Sequence, residues 1–175
     1  MMRKMGFEEK WISLIMMCVT TATFSVLING EPRGTITPSR GLRQGDPISP
    51  YLFLLCAEGL TALLRRKEAG GLIRGVAVSR IAPSISHLFF ADDSLLFCRA
   101  TERDCAVVLD TLHRYERCSG QKVNVDKSCV FFSPNTTALE SDKVKEILGV
   151  EALAAHEKYL GLPSLIGRSK KEIFR

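Results

Sequence analysis

The sequence predicts an α+β domain with an antiparallel sheet packed on helices, and three observations carry that prediction. Apolar residues recur at helical spacing through Leu52, Leu55, Leu60, Leu63 and Leu64, after a loop from Thr37 to Pro47 that holds two prolines and two glycines. Two short runs of large apolar residues, Leu88 to Phe90 and Leu95 to Phe97, flank the tip Ala91-Asp92-Asp93-Ser94, whose polar members are common turn formers; that is a β-hairpin signal. At 175 residues and 46% hydrophobic, the chain is long enough for one core of ordinary domain size.

In chain order, a helix is expected over about Glu8 to Val19, then a strand over about Thr23 to Asn29, where β-branched residues and Phe take over. Asn29-Gly30 supplies a turn that tolerates positive φ, and Gly34 opens a second short strand toward Ile36. The long helix starts after Asp46 or Ser49 as cap, with Pro47 or Pro50 in its first turn, and ends near Glu68 before Gly70-Gly71. Leu72 to Ser79 alternates through Ile73, Val76 and Val78 and predicts a strand that Pro83 interrupts. Beyond the hairpin, Thr101 with Asp104 forms a near capping box for a helix to about Cys118, with Val107, Val108, Leu112 and Tyr115 facing inward and Ser119-Gly120 ending it. A strand over Cys129 to Phe132, a turn at Ser133-Pro134-Asn135 and a short helix from Ser141 to Leu148 complete the pattern.

Charge is only mildly informative. Against 19 acidic side chains stand 24 basic ones, a net +5 that leans toward a polyanionic partner, with clusters at Arg65-Arg66-Lys67 and Arg168-Ser169-Lys170-Lys171 that a solvated helix face explains equally well. The six cysteines, at 18, 56, 98, 105, 118 and 129, include no Cys-x-x-Cys pair and no closely paired His, which argues against structural zinc and leaves reduced thiols as the default. Trp11 to Ile28 carries no charge and superficially resembles a signal peptide or membrane anchor. Glu8 and Glu9 in the flank, five Ser or Thr within the run and no small-residue cleavage site oppose that, so an intracellular protein without a membrane segment is expected, in nucleus or cytoplasm.

Two features carry chemistry. Adjacent ionised carboxylates at Asp92 and Asp93 repel unless they share a cation; Mg²⁺ takes oxygen ligands and is often held by one or two carboxylates plus substrate phosphates. A solvated Asp-Asp turn is the plain alternative. The glycine-bearing loop feeding a helix N-terminus lets backbone approach a ligand closely and offers amides to phosphate, or it is an ordinary helix entry. His113, on a predicted helix with no partner nearby in sequence, reads as a surface histidine.

Phe90-Ala91-Asp92-Asp93 following Gly41-Leu42-Arg43-Gln44-Gly45-Asp46-Pro47-Ile48-Ser49-Pro50, then Ser119-Gly120-Gln121-Lys122-Val123-Asn124-Val125-Asp126-Lys127-Ser128 and Tyr159-Leu160-Gly161-Leu162-Pro163, closely resembles the palm of a reverse transcriptase from LINE-type non-LTR retrotransposons of the kind abundant in plant genomes. With the lead-in Lys4-Met5-Gly6-Phe7, these ordered motifs cover nearly the whole chain. The resemblance implies an RNA-directed DNA polymerase palm over residues 1–164, with residues 165–175 starting a connector toward a thumb. It implies an RNA template, a DNA primer and deoxynucleoside triphosphates as partners, and Mg²⁺, with Mn²⁺ as substitute, held by Asp92 and Asp93. Arg43, Gln44 and Gly45 would pack near the templating base and incoming nucleotide. Lys127 would be a candidate proton donor to leaving pyrophosphate, and Tyr159, Leu160 and Gly161 would form the primer grip, a tight strand pair.

The resemblance also implies what is missing. The family's first catalytic Asp lies on a strand, in an Asp-Phe-x-Lys-Ala-Tyr-Asp kind of motif just before the helix that opens this chain, and no stretch of the 175 residues matches it. Fingers and thumb have no match either. The expectation is therefore a palm fragment inactive by itself, with a non-catalytic nucleic-acid-binding remnant as the alternative.

Overall fold

The computed structural model describes residues 1–39, 41–79 and 81–152, together with the backbone of 158–159 and 162–163. A single 3-10 turn at Met2–Met5 precedes helix α1, Glu9–Thr20. Thr20 and Thr21 hydroxyls donate to the carbonyls of Met16 and Met17, each four residues back, and the helix stops there. Strands β1, Phe24–Ile28, and β2, Glu31–Ile36, pair antiparallel across Asn29-Gly30, whose φ values of 52° and 80° are what a primed hairpin turn demands. The uncharged run is thus broken into a helix and a strand, and no helix among the described residues is long and apolar enough to cross a membrane. Strand β2 begins three residues before the expected Gly34. Register shifts between Phe24 and Val26, which face Ile36 and Arg33, so β2 holds one extra residue where Gly34 adopts φ 69°.

Helix α2 spans Ser49–Ala69 with Pro50 in its first turn, and Ile48, not Asp46 or Ser49, occupies the cap position. Both polar side chains are engaged within the preceding loop: Asp46 Oδ1 accepts from the Ile48 amide at 3.0 Å, and the Ser49 hydroxyl donates to the Arg43 carbonyl at 2.8 Å. The helix ends with the Gly70 amide on the Arg66 carbonyl and Gly71 at φ 65°.

The strand expected over 72–79 is not formed. Ile73 is buried at 2% exposure, but only an isolated bridge joins Val76 to Ile85, and Val78 stands 87% exposed. Gly75 explains the pinch, since a Cβ there would meet the Ile85 carbonyl oxygen at 2.3 Å; the chain closes on itself and bulges outward.

Strands β3, His87–Phe90, and β4, Asp93–Leu96, form an antiparallel hairpin. Helix α3 follows at Glu102–Ser119 and ends on Gly120 at φ 76°. Tyr115 donates its hydroxyl to Gln121, fastening the segment that leaves the helix. A 3-10 turn at Val125–Lys127 leads to β5, Cys129–Val130, shorter than expected and paired in parallel with β6, Glu151–Ala152. Between them α4 runs Ala138–Leu148, starting three residues before the expected Ser141 because Thr137 and Glu140 make a complete capping box that the sequence displays as Thr-x-x-Glu. Last come β7, Lys158–Tyr159, and β8, Leu162–Pro163, an antiparallel pair.

The core sits between α2 and α3: Leu60, Leu64 and Ile73 pack on Val108 and Tyr115, with Leu63, Val107 and Leu112 at its margin as the periodicity predicts. Fold class is α+β. Among the described residues, however, the strands form four separate pairs rather than one sheet, and one pair is parallel.

Candidate metal-binding hairpin

Cross-strand partners share a face, so the register of β3 and β4 fixes what each side chain does. Phe89 and Leu96, on the inner face, pack against the α2–α3 core, whereas Leu88 and Phe90 on the outer face are 50% and 60% exposed. Half-burial of the hairpin is as expected. The tip is tighter than expected: Phe90 pairs with Asp93, leaving only Ala91 and Asp92 in the turn. Ala91 takes φ 49°, a left-handed conformation that costs an L-residue roughly 1–2 kcal/mol. Asp92 therefore projects from a strained two-residue turn, and Asp93 begins the returning strand on the outer face beside Phe90. Both are exposed.

The hairpin is attached at its base. The Phe97 amide donates to the Ser86 carbonyl at 2.8 Å, and the Ser86 hydroxyl, 4% exposed, meets His87 Nδ1 at 3.1 Å. Burial, reinforced by the positive charge of Arg65, holds the His87 imidazole below its ordinary pKa; Glu68 and Glu58 act weakly against this. Its ring lies 4.9 Å from that of Phe89, tilted by 40°. On the exit side, the Arg99 guanidinium grips Asp104 in the first turn of α3. Sequence reasoning assigned Asp104 to a capping box and missed this ion pair. The available signal was an Arg five residues before an Asp at a helix start.

The other expected site residues lie on other elements of the chain. Arg43, Gln44 and Gly45 lie in a compact turn, with the Asp46 amide on the Arg43 carbonyl and Gly45 at φ 81°. The hydrogen bonds described for this loop are local, reaching no further than from Ser49 back to Arg43. Lys127 is exposed, its amide received by the Asn124 side chain at 3.3 Å. Tyr159 pairs with Leu162 as a tight strand pair, while Leu160 and Gly161 lie outside the described residues. His113 is exposed, as read.

Two adjacent carboxylates match the donor chemistry Mg²⁺ prefers. They fit it incompletely: among the described residues, no group of three His, Cys, Asp or Glu side chains is placed to hold a metal ion.

The chain is a member of the reverse transcriptase (RNA-dependent DNA polymerase) family, whose pattern matches residues 1–163. It is 29% identical over 188 aligned residues, covering 99% of this chain, to the retrovirus-related Pol polyprotein from type-1 retrotransposable element R2 of Popillia japonica. It is 38% identical over 90 residues, 51% of this chain, to the Pol polyprotein from type-2 retrotransposable element R2DM of Drosophila melanogaster. An uncharacterized mitochondrial protein of Arabidopsis thaliana is 59% identical over 68 residues, 39% of this chain. The matched segments span 56% of the Arabidopsis protein, 29% of the Popillia polyprotein and 8% of the Drosophila one.

Proposed function

We propose that this chain is the palm portion of an RNA-directed DNA polymerase of a non-LTR retrotransposon, spanning residues 1–164, with 165–175 starting a connector. The carrying observation is the exposed pair Asp92 and Asp93 at the turn of a hairpin whose inner face is anchored on α2 and α3. In this reading the two carboxylates hold divalent metal against the triphosphate. Divalent metal held there would supply charge neutralisation at the triphosphate and acidify the primer 3′-hydroxyl. Arg43, Gln44 and Gly45 line the templating base and incoming nucleotide, Lys127 delivers a proton toward pyrophosphate, and Tyr159 to Gly161 hold the primer end. RNA template, DNA primer and deoxynucleoside triphosphates are the substrates.

The chain as given is inactive in this reading, because two carboxylates from one hairpin leave the metals without the acid of a neighbouring strand. Each 1.36 kcal/mol of lost transition-state stabilisation is a factor of ten in rate, so the deficit amounts to several decades. Primer extension on an RNA template with Mg²⁺ or Mn²⁺ tests this: no product is expected from the isolated chain. Robust synthesis that Asp92→Ala abolishes would overturn the inactivity while supporting the site. The net charge of +5 favours a second reading, a non-catalytic nucleic-acid-binding remnant. That reading requires binding to an RNA/DNA hybrid that weakens steeply with salt and ignores Asp92→Asn in metal-free buffer.

A further inference from the structure

We propose that Asp104 is the positioning residue of the β3–β4 hairpin, the single carboxylate that ties the strand leaving the tip to the first turn of α3 and to the chain beyond α2. Its side chain is 0% exposed. Oδ1 accepts from Arg99 Nη2 at 3.0 Å and from the Thr101 hydroxyl at 2.9 Å; Oδ2 accepts from Arg99 Nε and from the Arg74 amide, both at 3.2 Å. Four donors from three segments thus meet one buried anion, using the acceptor sites a carboxylate offers.

The local pattern shows what was redirected. An acid at the third position of a helix ordinarily reaches back to the cap amide, as Glu140 does in α4. Asp104 receives the Thr101 hydroxyl but spends its remaining capacity on Arg99 and Arg74. Beside this ion pair the Cys105 thiol donates to the Arg99 carbonyl at 4.0 Å, and the neighbouring Cys105 thiol together with burial pushes the Cys98 thiol up. From Arg99 to Asp93 the chain reaches roughly 20 Å if extended, and a small tilt at the base becomes a displacement of the tip. That matters for catalysis only if Asp92 and Asp93 act as proposed above; the anchoring itself does not depend on it.

Burial opposes the charge on Asp104, and the bonds from Arg99, Thr101 and the Arg74 amide outweigh it, holding the carboxyl below the ordinary range. The groups facing it are Arg99 from the β4 side, Thr101 and Cys105 from α3, Cys98, and the Arg74 backbone. A depressed folded-state pKa contributes stability that is complete above the unfolded value, about 4, and disappears as pH falls through the folded one.

The test is amide hydrogen exchange on the full chain, comparing protection of His87–Leu96 with that of Val107–Tyr115. Asp104→Asn is expected to lower hairpin protection at pH 7 by about tenfold while the α3 segment stays within about threefold. Wild-type hairpin protection, corrected for intrinsic rates, should fall below about pH 4 in a step that Asp104→Asn lacks. If Asp104→Asn fails to fold, Arg99→Lys, at a half-exposed side chain, keeps the charge but loses the fork and should show the same selective loss to a smaller degree. Equal loss in both segments, unchanged hairpin protection, or identical pH profiles would overturn the proposal. No readout requires metal or nucleotide, so a failed polymerase assay leaves the result standing.

Discussion

Two hairpins in this chain obey the same local rule and meet different fates. Both close through a non-glycine residue with positive φ, Asn29 at 52° in β1–β2 and Ala91 at 49° in β3–β4. Every residue of β1 and β2 is exposed, Leu27 at 70%, and its Glu31–Arg33 ion pair lies in solvent. In β3–β4, Phe89 and Leu96 sit on a core and the exit is held by a buried carboxylate. An isolated two-stranded hairpin is marginal in water, so turn chemistry makes a hairpin but packing gives it a fixed position. The hairpin with the candidate metal ligands is the fixed one.

This contrast is most strongly broken by removing the floor of the second hairpin. Leu64, 1% exposed, lies at the centre of the core, and Leu64→Ala should cost about 2–5 kcal/mol in denaturant unfolding, releasing β3–β4 while β1–β2 signals stay put. Equal broadening of both hairpins by NMR would show that they share one support.

A smaller effect sharpens the comparison at the turns. Ala91→Gly removes the left-handed penalty but adds unfolded-state entropy, for a net gain of about 0.5 kcal/mol in thermal unfolding. A loss there would mean that the Ala91 methyl group makes a contact the turn needs. Smallest of all, Val26→Ala on the exposed face of β1 should change stability by no more than about 0.5 kcal/mol. A cost comparable to that of Leu64→Ala would reveal a packed partner for that face.

Local signals were read well where a few neighbouring residues decide the outcome. Asn29-Gly30 gave its turn, Gly70-Gly71 and Gly120 their helix ends, and the spacing of Leu60, Leu64, Val108 and Tyr115 the core. Readings failed where distant groups compete. Alternation over 72–79 suggested a strand, but Gly75 lies against the Ile85 carbonyl and the chain turns away. Asp46 and Ser49 both have the chemistry of a helix cap but serve the preceding loop, while Asp104, which has the spacing of a local capping residue, joins three segments.

By itself the sequence determined the helices, a hairpin with its tip within Ala91–Ser94, the paired acids and the ordered motifs of a reverse transcriptase, because each depends on periodicity, on turn preferences within a few residues, or on residue identity alone. Only the tertiary structure decided which hairpin would be anchored, which of its faces would be covered, and that the anchor is an ion pair between Arg99 and a fully buried Asp104. Those outcomes turn on desolvation and on donors brought together from separate segments, and neither is encoded in any short window of the chain.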